Sequence, residues 1–167
     1  MAIYFIAKIL PCDLPAQSGD VIPRPVLEGY INSAECKERL AKGLITGGST
    51  HFSRKTTKDG IPNADQILLD GNIFFKATDI WMEGNFAVAK FKVFEDLVLS
   101  GEMQNTYNTL INSLKNGIKY PVSSCLRAFW DDTVCKEIVF LRGVDITLQP
   151  GFHGSEIIDI IITEGED

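Results

Sequence analysis

Two side chains that could attack a carbonyl stand next to each other in this sequence. Ser123 and Ser124 lie in "YPVSSCLRAFW", just past Pro121 in an otherwise apolar stretch. A serine hydroxyl is a weak nucleophile at neutral pH. It needs a positioned base, usually an imidazole, and a third group that fixes the tautomer of that imidazole. The chain offers two histidines as bases, His51 in "ITGGSTHF" and His153 in "QPGFHGSE". His51 closely follows a glycine pair, where the backbone can turn sharply and present a side chain at a strand end. His153 also sits in a turn-forming stretch. None of these residues is specific alone, because a strand serine is commonly a small packed residue and a histidine beside glycine a turn residue. Cys125 follows two residues after Ser123 and shares its face if the strand is regular. It reads as a rival nucleophile or, if buried, as an inert thiol.

The elements that must hold these groups are legible from local patterns. "AIYFIAKIL" is β-branched and aromatic enough for a buried strand. "PCDLPAQSGDVIPRP" carries four of the seven prolines and reads as a loop. "PVLEGYINSAECKERLAKGL" has helical spacing in two pieces, with Ser33 as the N-cap of the second and Gly43 as its stop. The polar, basic stretch 52–65 reads as an exposed loop. "DIWM" and "FAVAKFKVF" flank a glycine-containing turn as paired strands. In "GEMQNTYNTLINSLKNG", Met103, Tyr107, Leu110, Ile111 and Leu114 share one helical face, and Gly117 ends it. "YPVSSCLRAFW", "CKEIVFLRGVDITL" and "SEIIDIIIT" are strand-like. This order of elements predicts an α+β domain on a mostly antiparallel sheet or barrel.

Composition narrows the partners. A chain of 167 residues with 45% apolar and 23% charged side chains reads as one globular domain with a real core. Its net charge of −6 argues against duplex nucleic acid or an anionic membrane as the main partner. No apolar run approaches the roughly 18 residues of a membrane span. "MAIYFIAKILPCD" lacks a basic leader and a small-residue cleavage site, so it reads as a first strand and not as a signal peptide. Cys12, Cys36, Cys125 and Cys135 show no C-x-x-C pair and no zinc-ligand spacing, so neither a metal nor a cofactor is expected. They could form two disulfides, but four reduced thiols fit a chain without a secretory signal better.

Four blocks in order carry a resemblance that no single motif does. They are "IYFIAKIL" with a loop ending "VIPRPVLEGYIN", then "LITGGSTH", then "ATDIWMEGNFAVAKFKVFED", then "LINSLKNGIKYPVSSCLRAFW". Together they resemble the head-maturation (prohead) proteases of large contractile-tailed phages, distant relatives of the herpesvirus capsid proteases called assemblins. The resemblance implies a single protease domain over 1–167, with a mostly antiparallel β-barrel-like core and flanking helices of assemblin type. The family's "G-x-x-x-x-V-S-S" puts its nucleophile at the first serine, here Ser123. The glycine shortly before its catalytic histidine maps the base to His51. The "G-V-D" strand in "RGVDITLQPGFHGSEIID" maps the third member to Asp145. His153 is the alternative, because the herpesvirus branch uses a second histidine there. Arg127 or Arg142 would help hold the oxyanion.

The chain departs from the family pattern in "GGST", where relatives carry a bulkier residue or a carboxylate, and in Cys125, where arginine or glycine is common. Phage enzymes of this group cut after glutamate, with an apolar residue two before it and a small residue after. Ile162-Thr163-Glu164 followed by Gly165 fits that rule, which makes 164–167 a candidate processed tail. The implied activity is a serine endopeptidase that cuts scaffold and capsid proteins inside the immature head, in the host cytoplasm. Its implied partners are those proteins and further copies of itself, with no nucleic acid or membrane. Two other readings remain: a catalytically inactive relative serving as a scaffold or core component, and an unrelated α+β binding domain.

Overall fold

In the first strand, β1 (Ala2–Pro11), Ile3, Phe5, Ala7 and Ile9 are buried while Tyr4, Ile6 and Lys8 are half-buried on the opposite side. This period of two is that of a sheet with one face on the core. The structure is a computed structural model that describes residues 2–48, 73–94, 104–147 and 151–163. Beyond β1 it contains α1 (Arg24–Ile31), α2 (Ala34–Lys42), β2 (Thr46–Gly48), β3 (Ile73–Glu83) and β4 (Phe86–Val93). These are followed by α3 (Gln104–Lys115), β5 (Val122–Asp131), β6 (Val134–Ile146) and β7 (Ile157–Thr163). The 52–65 stretch and the 164–167 tail lie outside the described residues.

The strands form one seven-stranded sheet in the order β5-β6-β2-β3-β4-β1-β7. All its neighbours are antiparallel except β2 and β6, which run parallel where Thr46 meets Gly143. A mixed α+β domain on a mostly antiparallel sheet is therefore what forms. Among the described residues the sheet is an open row whose two ends meet at one corner. There the Val122 N–H donates to the Ser155 carbonyl (3.0 Å) and the Ile157 N–H to the Tyr120 carbonyl (2.9 Å).

The core is centred on three rings from three strands. Phe5 stands 4.8 Å from Phe75 and 5.0 Å from Phe91, and Phe75 stands 5.3 Å from Phe91, with edge-on and offset geometries that aromatic quadrupoles favour. The helix signals hold. The Ser33 hydroxyl accepts the Cys36 N–H (3.2 Å), and Gly43 ends α2 at φ 69°. Along α3, Ile111 and Leu114 are buried, Leu110 packs beside them, and Gly117 follows at φ 87°. The side chains of Met103 and Tyr107 lie outside the described residues.

The sequence stretch "TGGSTH" reads as a turn, yet Thr46–Gly48 forms a strand. The cause is an exceptionally close approach. A Cβ on Gly47 would overlap both the Val144 carbonyl oxygen and the Phe75 ring, so only glycine lets β2 lie between β3 and β6.

β6 is longer than its partner. Its pairing with β5 steps from Gly143 to Leu141, from Phe140 to Ile138 and from Glu137 to Cys135, which leaves Arg142, Val139 and Lys136 as extra residues on β6. Such bulges bend and twist a strand and disrupt its ladder. Helix α1 supports one of them. The Tyr30 hydroxyl accepts the Leu141 N–H (2.8 Å) and donates to Glu35 (2.7 Å), which also accepts from Arg39 Nε (2.6 Å). Burial, and then the Glu35 bond, push the Tyr30 phenol well above its ordinary pKa, against the Leu141 bond that lowers it. Tyr30→Phe should cost about 1–3 kcal/mol in urea unfolding, because it leaves a buried N–H without its acceptor.

Candidate active site

The site starts from the β5–β6 register. Ser123 lies directly opposite Asp145, and Cys125 opposite Gly143. Opposed residues of an antiparallel pair project from one face, about 4.5–5.5 Å apart at Cβ. Ser123 is half-buried, whereas Asp145 is only 1% exposed. Burying a carboxylate is costly unless it is hydrogen-bonded, and Asp145 Oδ1 accepts the Gly48 N–H at 3.1 Å. Asp145 is therefore no surface carboxylate. It fastens the end of β2 to β6.

Ser124 has different surroundings. Its hydroxyl donates to the Ile9 carbonyl of β1 at 2.9 Å, and the buried Ser155 hydroxyl reaches the same oxygen at 3.5 Å. The two neighbouring serines thus serve opposite sides of β5, and the second one ties the sheet corner together. Ser155 carries no local signal of this role, since only the fold brings it to Ile9.

Cys125 shares the Ser123 face, as regular pairing over 122–125 requires. Burial pushes its thiol up to about 11. The Arg142 charge opposes this and the Asp145 charge adds to it. A thiol held above its ordinary value stays protonated near neutral pH and is a poor nucleophile. Iodoacetamide should therefore alkylate Cys125 slowly near neutrality and faster as pH nears 11. The stability gained from the folded site's preference for the neutral thiol should fade as pH climbs from 9.0 toward about 11. A Cys125→Ala chain should lose that part of the alkaline decline. All four cysteines are free thiols.

Of the two arginines, Arg142 sits at the bulge beside Gly143, half-buried, with its guanidinium 5.4 Å from the Phe140 ring centre. Arg39 lies over the same ring at 4.2 Å. Arg127, two residues beyond Cys125 on β5, is exposed. His153 is exposed in the 151–154 turn. That turn packs through the Gly151 carbonyl on the Gln17 N–H (3.1 Å) and through Gly154 on the Phe86 ring. His51, Glu164 and Gly165 lie outside the described residues.

The β2–β5–β6 arrangement brings a hydroxyl and a buried carboxylate to one place, a pairing that acyl transfer can use. Among the described residues no group of three His, Cys, Asp or Glu side chains could hold a metal ion, and no helix is long and apolar enough to cross a membrane. No protein-family model matches the chain, and no curated protein does. Among solved structures the chain is similar to the capsid assembly protease of bacteriophage T4. The two are 11% identical, the match covers 92% of this chain and 79% of that one, and the TM-score is 0.47.

Proposed function

We propose that the chain is a serine endopeptidase that cuts scaffold and capsid proteins during phage head maturation. In this reading Ser123 is the nucleophile, His51 the general base, and Asp145 the positioning carboxylate. The observation that carries it is the buried Asp145 directly opposite Ser123, bound to the N–H of Gly48. His51 follows Gly48 by three residues, and three residues of chain span at most about 10 Å.

The chemistry balances as acyl transfer. His51 takes the Ser123 proton as Oγ bonds to the peptide carbonyl carbon, and the carbonyl oxygen becomes an oxyanion. The imidazolium then protonates the leaving amine as the C–N bond breaks, and water repeats the sequence on the acyl-enzyme. Asp145 holds the imidazole tautomer and stabilises its charged form. Arg142, half-buried at the bulge beside Gly143, is the cation assigned to the oxyanion in this reading, with the exposed Arg127 the alternative. Scaffold and capsid proteins as substrates, and cleavage of the chain's own Glu164-Gly165 bond, follow from the sequence resemblance.

The test is a fluorophosphonate reagent, followed by digestion and peptide mass analysis. A single adduct on Ser123, absent from Ser123→Ala, supports the reading. No adduct on a folded wild-type chain, together with an intact scaffold substrate, would leave an assembly component that keeps the fold without the chemistry.

A further inference from the structure

We infer that two copies of this chain associate through the free edge of β5, pairing antiparallel about Phe129. β5 ends the strand row, with β6 along one edge. Its other edge meets β1 and the start of β7 only near its beginning, at Pro121, Val122 and Ser124. From Leu126 to Asp131 no strand lies beside it among the described residues. An open edge is a template for another strand, and proteins usually blunt it with lysine, proline or bulges. Here "LRAFWD" holds neither lysine nor proline, and all three bulges of the hairpin fall on β6. The edge also displays two large apolar side chains, Phe129 at 58% and Trp130 at 41% exposure.

The order of charges selects the occupant. Arg127, Phe129 and Asp131 alternate along β5 and share one face, and all three are exposed. Read backwards, the series is acid, aromatic, base. When a second copy runs antiparallel with the two Phe129 rings at the axis, Arg127 of each copy stands opposite Asp131 of the other. Ala128 meets Trp130 on the opposite face. Opposite charges and aromatic rings placed directly across a strand pair both stabilise it. The arrangement is a closed two-fold, which uses the same patch on both copies and stops at two. A strand of unrelated sequence would meet this edge without the double charge match. The inference stands apart from the protease reading, because Ser123 lies outside the paired segment.

The test is the molar mass of the full chain by sedimentation equilibrium over a concentration series. Wild type should move from one chain to two. Arg127→Asp alone, or Asp131→Arg alone, sets like charges across the axis twice and should weaken association by about tenfold or more. The double variant R127D/D131R restores opposite charges with the signs exchanged and should recover association to near the wild-type value. Far-UV circular dichroism checks that each variant is folded. A single-chain mass throughout the wild-type series overturns the inference. So does a double variant no tighter than the single ones.

Discussion

Ser123→Ala should reduce cleavage of a scaffold substrate by about 10⁴-fold or more, the scale on which serine hydrolases lose activity without their nucleophile. Ser124→Ala should leave the rate within a few-fold of wild type and act on stability instead. It removes the hydroxyl that donates to the Ile9 carbonyl, at a cost of about 1 kcal/mol. Ser155 reaches the same oxygen at 3.5 Å and should soften that loss. Initial rates and urea unfolding of the two variants, measured side by side, separate the roles. If Ser124→Ala were the inactive chain and Ser123→Ala the active one, the assignment would be reversed.

Gly47→Ala should strongly destabilise the fold. Overpacking a core costs about 1–3 kcal/mol when side chains can give way. Here one of the atoms in the way is the Val144 backbone carbonyl, which cannot rotate aside, so about 3 kcal/mol or more is expected. For a chain of this size that corresponds to a fall in Tm of about 6–12 °C. The displaced β2 would also carry the Gly48 N–H away from Asp145, so activity should fall further than the unfolded fraction explains. Gly29→Ala is the control. Gly29 lies inside α1 with no atom within 4 Å of the added methyl, and the change should stabilise the helix by up to about 1 kcal/mol. Thermal unfolding of both variants checks the contrast.

What could be read from the sequence was what neighbouring residues decide for themselves. Ser33 and Gly43 bracket α2 because a cap and a left-handed residue act within one helical turn. The β3–β4 hairpin and the strand β1 likewise follow from local composition and turn chemistry. The glycine pair at 47–48 misled as a turn, because its meaning lies about a hundred residues away, in the carbonyl of Val144 and the carboxylate of Asp145. The bulges of β6 were hidden for a similar reason. They are visible only as a mismatch with β5 and as a need for Tyr30, which no local rule connects to Leu141. At the site, Ser123 and Asp145 stand opposite each other on the hairpin, a pairing no local pattern announces, and His51 lies outside the described residues.

The order of the strands also sets a timetable. β1 lies between β4 and β7, whose residues are made well after its own. The N–H of Val122, the residue before Ser123, donates to the Ser155 carbonyl, so the sheet corner beside Ser123 closes only once that late stretch has emerged. At about 5–20 residues per second, synthesis from β1 to β7 takes on the order of ten seconds. Ser123 precedes Ser155 by 32 residues, so for about 2–6 seconds of that time the nascent chain carries the serine without the finished corner. Under the function proposed above, the chain would stay inert until that corner closes, and the proteins made beside it would be spared.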